Sequence, residues 1–457
     1  MKILQKIAII TVLIYSITLF GCEKFLAKKA NDNLAIPEKL ENFQALLDNV
    51  IRINAGGPLA GEISSDDYVF TNQQFDALSE ESEKRMHIWE KEYVFTSGYN
   101  NWKSSYFAIY SANTALKGLE GISRTNQNAS KWDNVKGHAL FTRGSYLLDA
   151  AIVWCLAYDD VSATKDLGLP LRSNTDFNEV SVRSNVQQTY DQIIADLKEA
   201  ATLLPSVPIS KYRPSKTAAY GYLARTYLAM RKYPEAEAYA DAYLALKSDM
   251  LDFNNLNLNV RFPIDFETNN EVVYYKGMES ASILSPANVN VPREVFDLFL
   301  ADDLRKKAFF KLNADGSYNF TGGYSGSNGK FSAVATNEIY LTKAECLARA
   351  NKYEESIALL NTLVLKRWDK NAVYVPYHAD NKDEALVLIF KERRKELIMR
   401  GTRWMDIKRL NKESANISLK RTYHGRDYTL PANDLRFALP IPEDVIALSG
   451  MEQNPRL

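Results

Sequence analysis

The sequence predicts a mostly α-helical chain, built from paired helices and interrupted by one irregular lobe of loops and short strands. Three observations lead there. Apolar residues recur at helical spacing through about 100–247 and again through 336–410. Within these stretches, Thr217–Leu246 carries small and aromatic residues in an order that Glu338–Val364 partly repeats. Between them, 248–335 loses the helical period and fills with asparagine, glycine and serine, the residues of turns.

Residues 1–21 read as an export signal. Lys2 and Lys6 give a basic start, and Ile7–Phe20 is an uncharged, mostly apolar run of 14 residues. A bilayer span needs roughly 20. Ala27–Asn33 is polar and reads as a tether. Pro37–Ile53 is amphipathic, with Leu40, Phe43, Leu46/Leu47 and Val50 on one face. Ile63–Phe70 holds Asp66, Asp67 and Tyr68, a polar–aromatic cluster expected to be exposed. It serves either as a capped turn or as a ligand contact, with carboxylates accepting bonds while Tyr68 stacks.

From Tyr99 helices dominate. Trp102, Tyr106, Ile109/Tyr110 and Asn113 keep helical spacing, and Gly137–Ala157 is long and amphipathic. Tyr190–Leu204 gives the next helix, stopped by Pro205, and Ser215 is placed to cap the one after. In Thr217–Leu246, Leu223, Ala224, Tyr227, Tyr233 and Ala236 match the spacings of a tetratricopeptide repeat. Tyr340, Ala344 and Tyr353 match it again, with Ser356 where alanine is usual. In the lobe, Glu271–Gly277 reads as a strand, and Asn313–Lys330 as turns exposing Tyr318, Phe320 and Tyr324. Thr422–Pro431 has strand or turn character.

Lys391–Leu410, KERRKELIMRGTRWMDIKRL, is the most distinctive stretch: eleven of its twenty residues are charged. Leu386, Phe390 and Leu397 form one helix face, and Arg393 and Arg400 continue it. Gly401 interrupts, as a residue free to adopt positive φ at a helix end would. A second helix carries Trp404, Ile407 and Leu410. Arginine turned towards a core is costly unless its fork is paired. The stretch therefore reads as a solvated helix face, as a basic nucleic-acid patch that its interleaved acids disfavour, or as a buried clamp of Arg393, Arg400 and Arg403, with Glu392, Glu396 and Asp406 as candidate partners.

The order E-R-R-K-E-L…G-x-R-W-x-D-I-K-R resembles the C-terminal signature of the SusD/RagB family, surface nutrient-binding lipoproteins of glycan-foraging Gram-negative bacteria. Other strings are similar to that family's. They are Cys22-x-x-Phe25-Leu26 at the start, W-x-x-x-Y-x-x-I-x-x-A-N from Trp102, GLPLR (Gly168–Arg172), and LPIP…QNP at the end. Leu19-Phe20-Gly21-Cys22 resembles a lipobox, which implies cleavage before Cys22 and its lipidation. The resemblance implies a SusD-like fold, with divergent tetratricopeptide-like pairs as scaffold and one domain over 22–457. It implies a protein lipid-anchored in the outer membrane, facing the cell surface. The implied function is non-catalytic capture of an oligosaccharide and its delivery to a TonB-dependent SusC-like barrel. The alternatives are capture of a peptide or another nutrient, a repeat adaptor that binds only proteins, and a lipoprotein glycosidase.

Composition narrows the chemistry. Lys+Arg and Asp+Glu are both 56, so no net field draws the chain to nucleic acid or anionic lipid. Tyrosine is abundant, 26 residues, which suits helix-repeat cores and sugar-contacting surfaces alike. Cys155 and Cys346 lie in small-apolar helical contexts and read as packed free thiols. Four scattered histidines lack ligand spacing, and no nucleotide, zinc-protease or serine-hydrolase motif is present. Adjacent acids such as Asp159/Asp160 and Asp302/Asp303 do not face one another as a glycosidase pair must. No cofactor, metal or catalytic residue is implied. The candidate ligand contacts are Asp66, Asp67 and Tyr68, then Tyr99, Asn101 and Trp102, then Tyr275 and Tyr324.

Overall fold

The computed structural model describes residues 38–98, 100–176, 178–285 and 289–456. The export signal, Cys22, the tether and Tyr99 lie outside the described residues.

The main helices run in chain order, and most pack against the next. Helix α1 (Leu40–Leu47) buries Leu40, Phe43 and Leu47 against α2 (Asn101–Leu119) and α3 (Ala129–Trp154). Phe43 lies flat on α2 because Gly118 leaves it room: a Cβ there would fall 1.9 Å from the ring. The amphipathic face stops at Leu47, and Val50 is exposed rather than on the buried face. Helix α3 is the spine. Its second half is buried nearly all round, as expected of a helix with neighbours on every side.

The chain then makes a short ladder of β1 (Leu167–Pro170) and β2 (Arg183–Asn185) before α4 (Val186–Leu203). Ser215 caps α5 (Lys216–Ala229), its hydroxyl accepting the Ala218 N–H at 3.1 Å. The pair α5 and α6 (Tyr233–Leu246) is matched by α7 (Thr336–Arg349) and α8 (Tyr353–Leu365). Both pairs turn through one left-handed residue, Arg231 at φ 62° and Asn351 at φ 64°, then a lysine, then the tyrosine that starts the second helix. Ser356 keeps the close packing expected of alanine because its buried hydroxyl donates to the Ala344 carbonyl at 2.7 Å. Helices α9 (Lys382–Glu396) and α10 (Arg403–Asn411) complete the array.

The lobe differs from expectation in two places. Glu271–Gly277 is not a strand: it makes only isolated bridges, Val272 to Ala335 and Gly277 to Phe331. Its buried Glu271 and Lys276 bond to side chains instead of a neighbouring strand. Tyr318 is half-buried, while Phe320 and Tyr324 are buried rather than exposed. A hairpin of β3 (Phe310–Leu312) and β4 (Tyr318–Phe320) folds Tyr318 and Phe320 inward, and Tyr324 is held by Glu271 and Asn337. Thr422–Pro431 does form a hairpin, pairing β5 (Leu419–Tyr423) with β6 (Arg426–Leu430). The terminus docks by amides. Gln453 pairs both ways with the Ile441 backbone at 2.8 Å, and Asn454 donates to the carbonyls of Trp154 and Leu439 at 2.8 and 2.6 Å.

Candidate functional site

The arginine-rich stretch is internal. Arg393 Nε lies 2.7 Å from Asp406 Oδ2, and Arg409 Nε lies 2.8 Å from Asp406 Oδ1. Arg400 has no acid partner in its hydrogen-bond set. Its guanidinium lies 4.5 Å from the Tyr324 and Phe331 ring centres and donates to the Ala333 carbonyl at 3.1 Å. Arg403 pairs outside the stretch, with Asp66. Glu396 also pairs outside it, with Arg305 at 2.8 Å and Arg367 at 2.7 Å. Gly401 takes φ 72°, and its N–H donates to Glu62 at 2.9 Å.

The expected exposure of Asp66, Asp67 and Tyr68 is corrected by the same contacts. Asp67 is buried, accepting the Met399 N–H at 2.8 Å and an arginine contact from Arg394. Burial alone would raise the Asp66 carboxyl, but the charges of Arg394 and Arg403 outweigh it and hold it well below the usual range. Tyr68 is 1% exposed. Its hydroxyl donates to the Ile63 carbonyl at 2.6 Å and lies 2.9 Å from His87 Nδ1, so the ring offers no open face.

The other nominated residues do not converge on one patch. Tyr324 donates to Glu271 at 2.6 Å in the core. Tyr275 is half-buried against Phe266, ring centres 4.2 Å apart. Asn101 accepts the Leu59 N–H at 3.1 Å and donates to Glu279. Trp102 is 5% exposed and stacks on Tyr106 at 4.6 Å and 26°.

One helical step from Trp102 the same helix faces outward. The small residues Ser104, Ser105, Ala108, Ala112 and Ala115 bury one side of α2. Lys103, Tyr106, Phe107 and Tyr110 therefore fall on the other, at positions a single face presents. Together with Asn113 and the Arg172–Asp176 segment they line a cleft of about 360 Å³. Phe107 is 40% exposed, with the Arg52 guanidinium 5.4 Å from its ring. Tyr106 is fixed at both ends, by Trp102 and by its hydroxyl's bond to the Pro170 carbonyl at 3.1 Å. Asn113 is locked too: it donates to the Arg172 carbonyl at 2.8 Å and accepts from Arg143 at 3.0 Å.

Such a cleft offers rigid ring faces below and a polar edge above, within the size range of small-ligand sites. Asp176 is the one carboxylate among its described lining residues. A larger hollow of about 800 Å³, between α1, α3 and the chain after α4, has no aromatic ring on its described walls. In the sequence, Trp102–Asn113 offers helical spacing and a family-like string, and Trp102 alone within it is a nominated ligand contact. The missed signal was the sidedness of that helix, small residues on one face and rings on the other.

Comparison with known proteins agrees with the architecture. Residues 24–228 match a family model described as starch-binding, associating with the outer membrane, and 311–456 match the model of the SusD family. SusD-like protein P2 of Formosa agariphila is 26% identical over 439 residues, covering 79% of this chain and 82% of that protein. A SusD superfamily crystal structure from Bacteroides thetaiotaomicron superposes with a TM-score of 0.74 at 20% identity, over 92% of this chain and all of that one. A SusD-like carbohydrate binding protein from Bacteroides vulgatus superposes at 0.65 and 19% identity, over 90% and 97% of the two chains.

Proposed function

Because the chain belongs to the SusD/RagB family, we propose that it captures a sugar chain at the cell surface and holds it on the ring face of α2. The observation that carries this reading is the row of Tyr106, Phe107 and Tyr110 that lines the cleft, with Phe107 exposed, beside the polar Arg172–Asp176 edge. Sugar rings have apolar faces that stack on aromatic rings and hydroxyl rims that bond to amides and carboxylates. Buried Trp102 supports this row from behind, and the clamp holds the C-terminal helices without touching ligand.

In this reading the protein is a binder, not an enzyme. Lipidated Cys22 holds it in the outer membrane, and a SusC-like TonB-dependent barrel receives the ligand. Among the described residues no helix is long and apolar enough to cross a membrane. Isothermal titration of the mature chain against a panel of α- and β-linked glucan, xylan and mannan oligosaccharides tests it. Binding of at least one, weakened about tenfold by Phe107→Ala, is the expected result. Binding of none, or release of shorter sugars on incubation, overturns it.

A further inference from the structure

We propose that Arg172 is a positioning residue that holds the described part of the loop after it, residues 173–176 and 178–181, in place so that Asn174–Asp176 form the second wall of the cleft. The inference rests on the reading of that cleft as the ligand site. The described residues from 171 to 182 form neither helix nor strand, so no regular backbone ladder fixes them. The Arg172 guanidinium reaches into the loop instead. It donates to the carbonyl of Asp176, to that of Glu179 at 3.0 Å, and to the Ser181 hydroxyl at 3.1 Å. Its charge also lies 3.5 Å from the Glu179 carboxylate.

The other end of the same residue is fixed to the floor. The Arg172 carbonyl accepts from Asn113 of α2, and Asn113 is held by Arg143, which pairs with Asp196 of α4 at 2.6 Å. One residue thus connects the ring-bearing helix to the facing loop. The loop's internal bonds are short-range: Asn174 accepts the Asp176 N–H at 3.1 Å, and Asp176 accepts the Asn178 N–H at 2.9 Å. Such turns shape the loop without fixing its height over Phe107. The β1–β2 ladder closes the base of the loop, and among the described residues the guanidinium ties together Asp176, Glu179 and Ser181 beyond it. Lysine, with one ammonium, cannot span these acceptors as a planar fork does.

Removing the fork leaves every ring in place and frees the wall. Ligand should then associate as before and leave faster. The experiment compares wild type, Arg172→Ala, Arg172→Lys and Phe107→Ala. It combines hydrogen exchange of the free protein with binding kinetics on the tightest oligosaccharide of the titration panel. In Arg172→Ala, exchange at 173–182 should accelerate at least about tenfold while α2 and α3 keep their protection. Dissociation should accelerate by about tenfold with little change in association. Arg172→Lys should rescue neither fully.

Unchanged exchange in Arg172→Ala overturns the proposal. So does a freed loop with unchanged dissociation, provided Phe107→Ala has weakened binding. Unweakened binding in Phe107→Ala instead overturns the cleft reading and, with it, the ligand-holding role of Arg172. If no sugar binds, the exchange result alone decides whether Arg172 holds the loop.

Discussion

Arg403 and Asp66, 337 residues apart in the chain, meet in a two-pronged ion pair with distances of 2.7 and 2.8 Å. The pair joins the start of α10 to the segment after the short helix Ala60–Ser64. Its Asp66 carboxylate is 35% exposed, whereas the Asp406 carboxylate paired with Arg393 is only 9% exposed. The two arginines should therefore differ. Arg393→Ala leaves a buried carboxylate with Arg409 alone and should cost on the order of 3 kcal/mol. Arg403→Ala leaves one that water and Arg394 still reach, and solvent screening should reduce the cost to about 1–2 kcal/mol. Urea unfolding of both variants measures the difference. A larger loss for Arg403→Ala than for Arg393→Ala would contradict this assignment of burial.

The arginine stretch shows what the chain reveals locally and what it hides. That its arginines needed partners was legible, because a charge on an apolar helix stripe demands one. Asp406 lies close enough in sequence to be named, but Asp66, Arg305 and Arg367 do not. Pairing over hundreds of residues is set by tertiary packing, not by spacing. The reading of Asp67 and Tyr68 as exposed failed for that reason, and Asp66 is only partly exposed: a D-D-Y cluster looks solvated until its distant arginines are placed. The helix pairs were legible because small residues and tyrosines recur with a fixed period. The lobe was not, since buried Glu271 and Lys276 substitute side-chain bonds for a strand ladder.

Lys408 should make stability rise with pH on the alkaline side of neutrality. Its ammonium is buried at the end of α3 and donates to the carbonyls of Ile152 and Cys155, both at 2.6 Å, with no carboxylate in its hydrogen-bond set. Burial pushes it down to about 7, against roughly 10.4 for an unfolded lysine. Between those values the unfolded chain holds a proton that the folded chain has released. Stability therefore increases with pH there, by up to about 1.4 kcal/mol per unit. Lys330, pushed down to about 8 by burial, adds to the upper part of that window. Unfolding free energies of wild type and Lys408→Met at pH 7 and 9 should show a shallower slope in the variant. An identical slope would remove Lys408 as its source.

On the acid side His138 and His87 should destabilise the fold as they are driven to protonate. Burial pushes His138 down to about 4 and His87 well below its usual value. An unfolded histidine titrates near roughly 6.5. Below that pH the unfolded chain gains protons that the folded chain refuses, so stability is lost as pH falls from about 6.5 towards 4. His138 Nδ1 lies 3.0 Å from the Gln44 amide, and His87 sits between the hydroxyls of Tyr68 and Tyr423 at 2.9 and 2.8 Å. His138→Gln should be less sensitive over this range, read as the change in urea midpoint between pH 6.8 and 5. A midpoint that drops as steeply as wild type would assign the effect to His87 alone.

Trp102 and Phe107 lie on opposite sides of one helix and should separate folding from binding. Trp102 is packed between Tyr106 and Trp154, ring centres 4.6 and 5.1 Å away. Its removal to alanine opens a cavity and should cost about 3–5 kcal/mol. Phe107 is exposed, so Phe107→Ala should leave the melting temperature within a few degrees of wild type. Loss of a stacking ring should weaken sugar binding by about 1–1.5 kcal/mol, roughly tenfold. The measurements are thermal melting and titration on the same preparations. Lost affinity in Phe107→Ala without lost stability identifies the ring as a ligand contact. Lost stability in that variant means the exposed face of α2 is covered in the folded protein and the cleft is not where sugar binds.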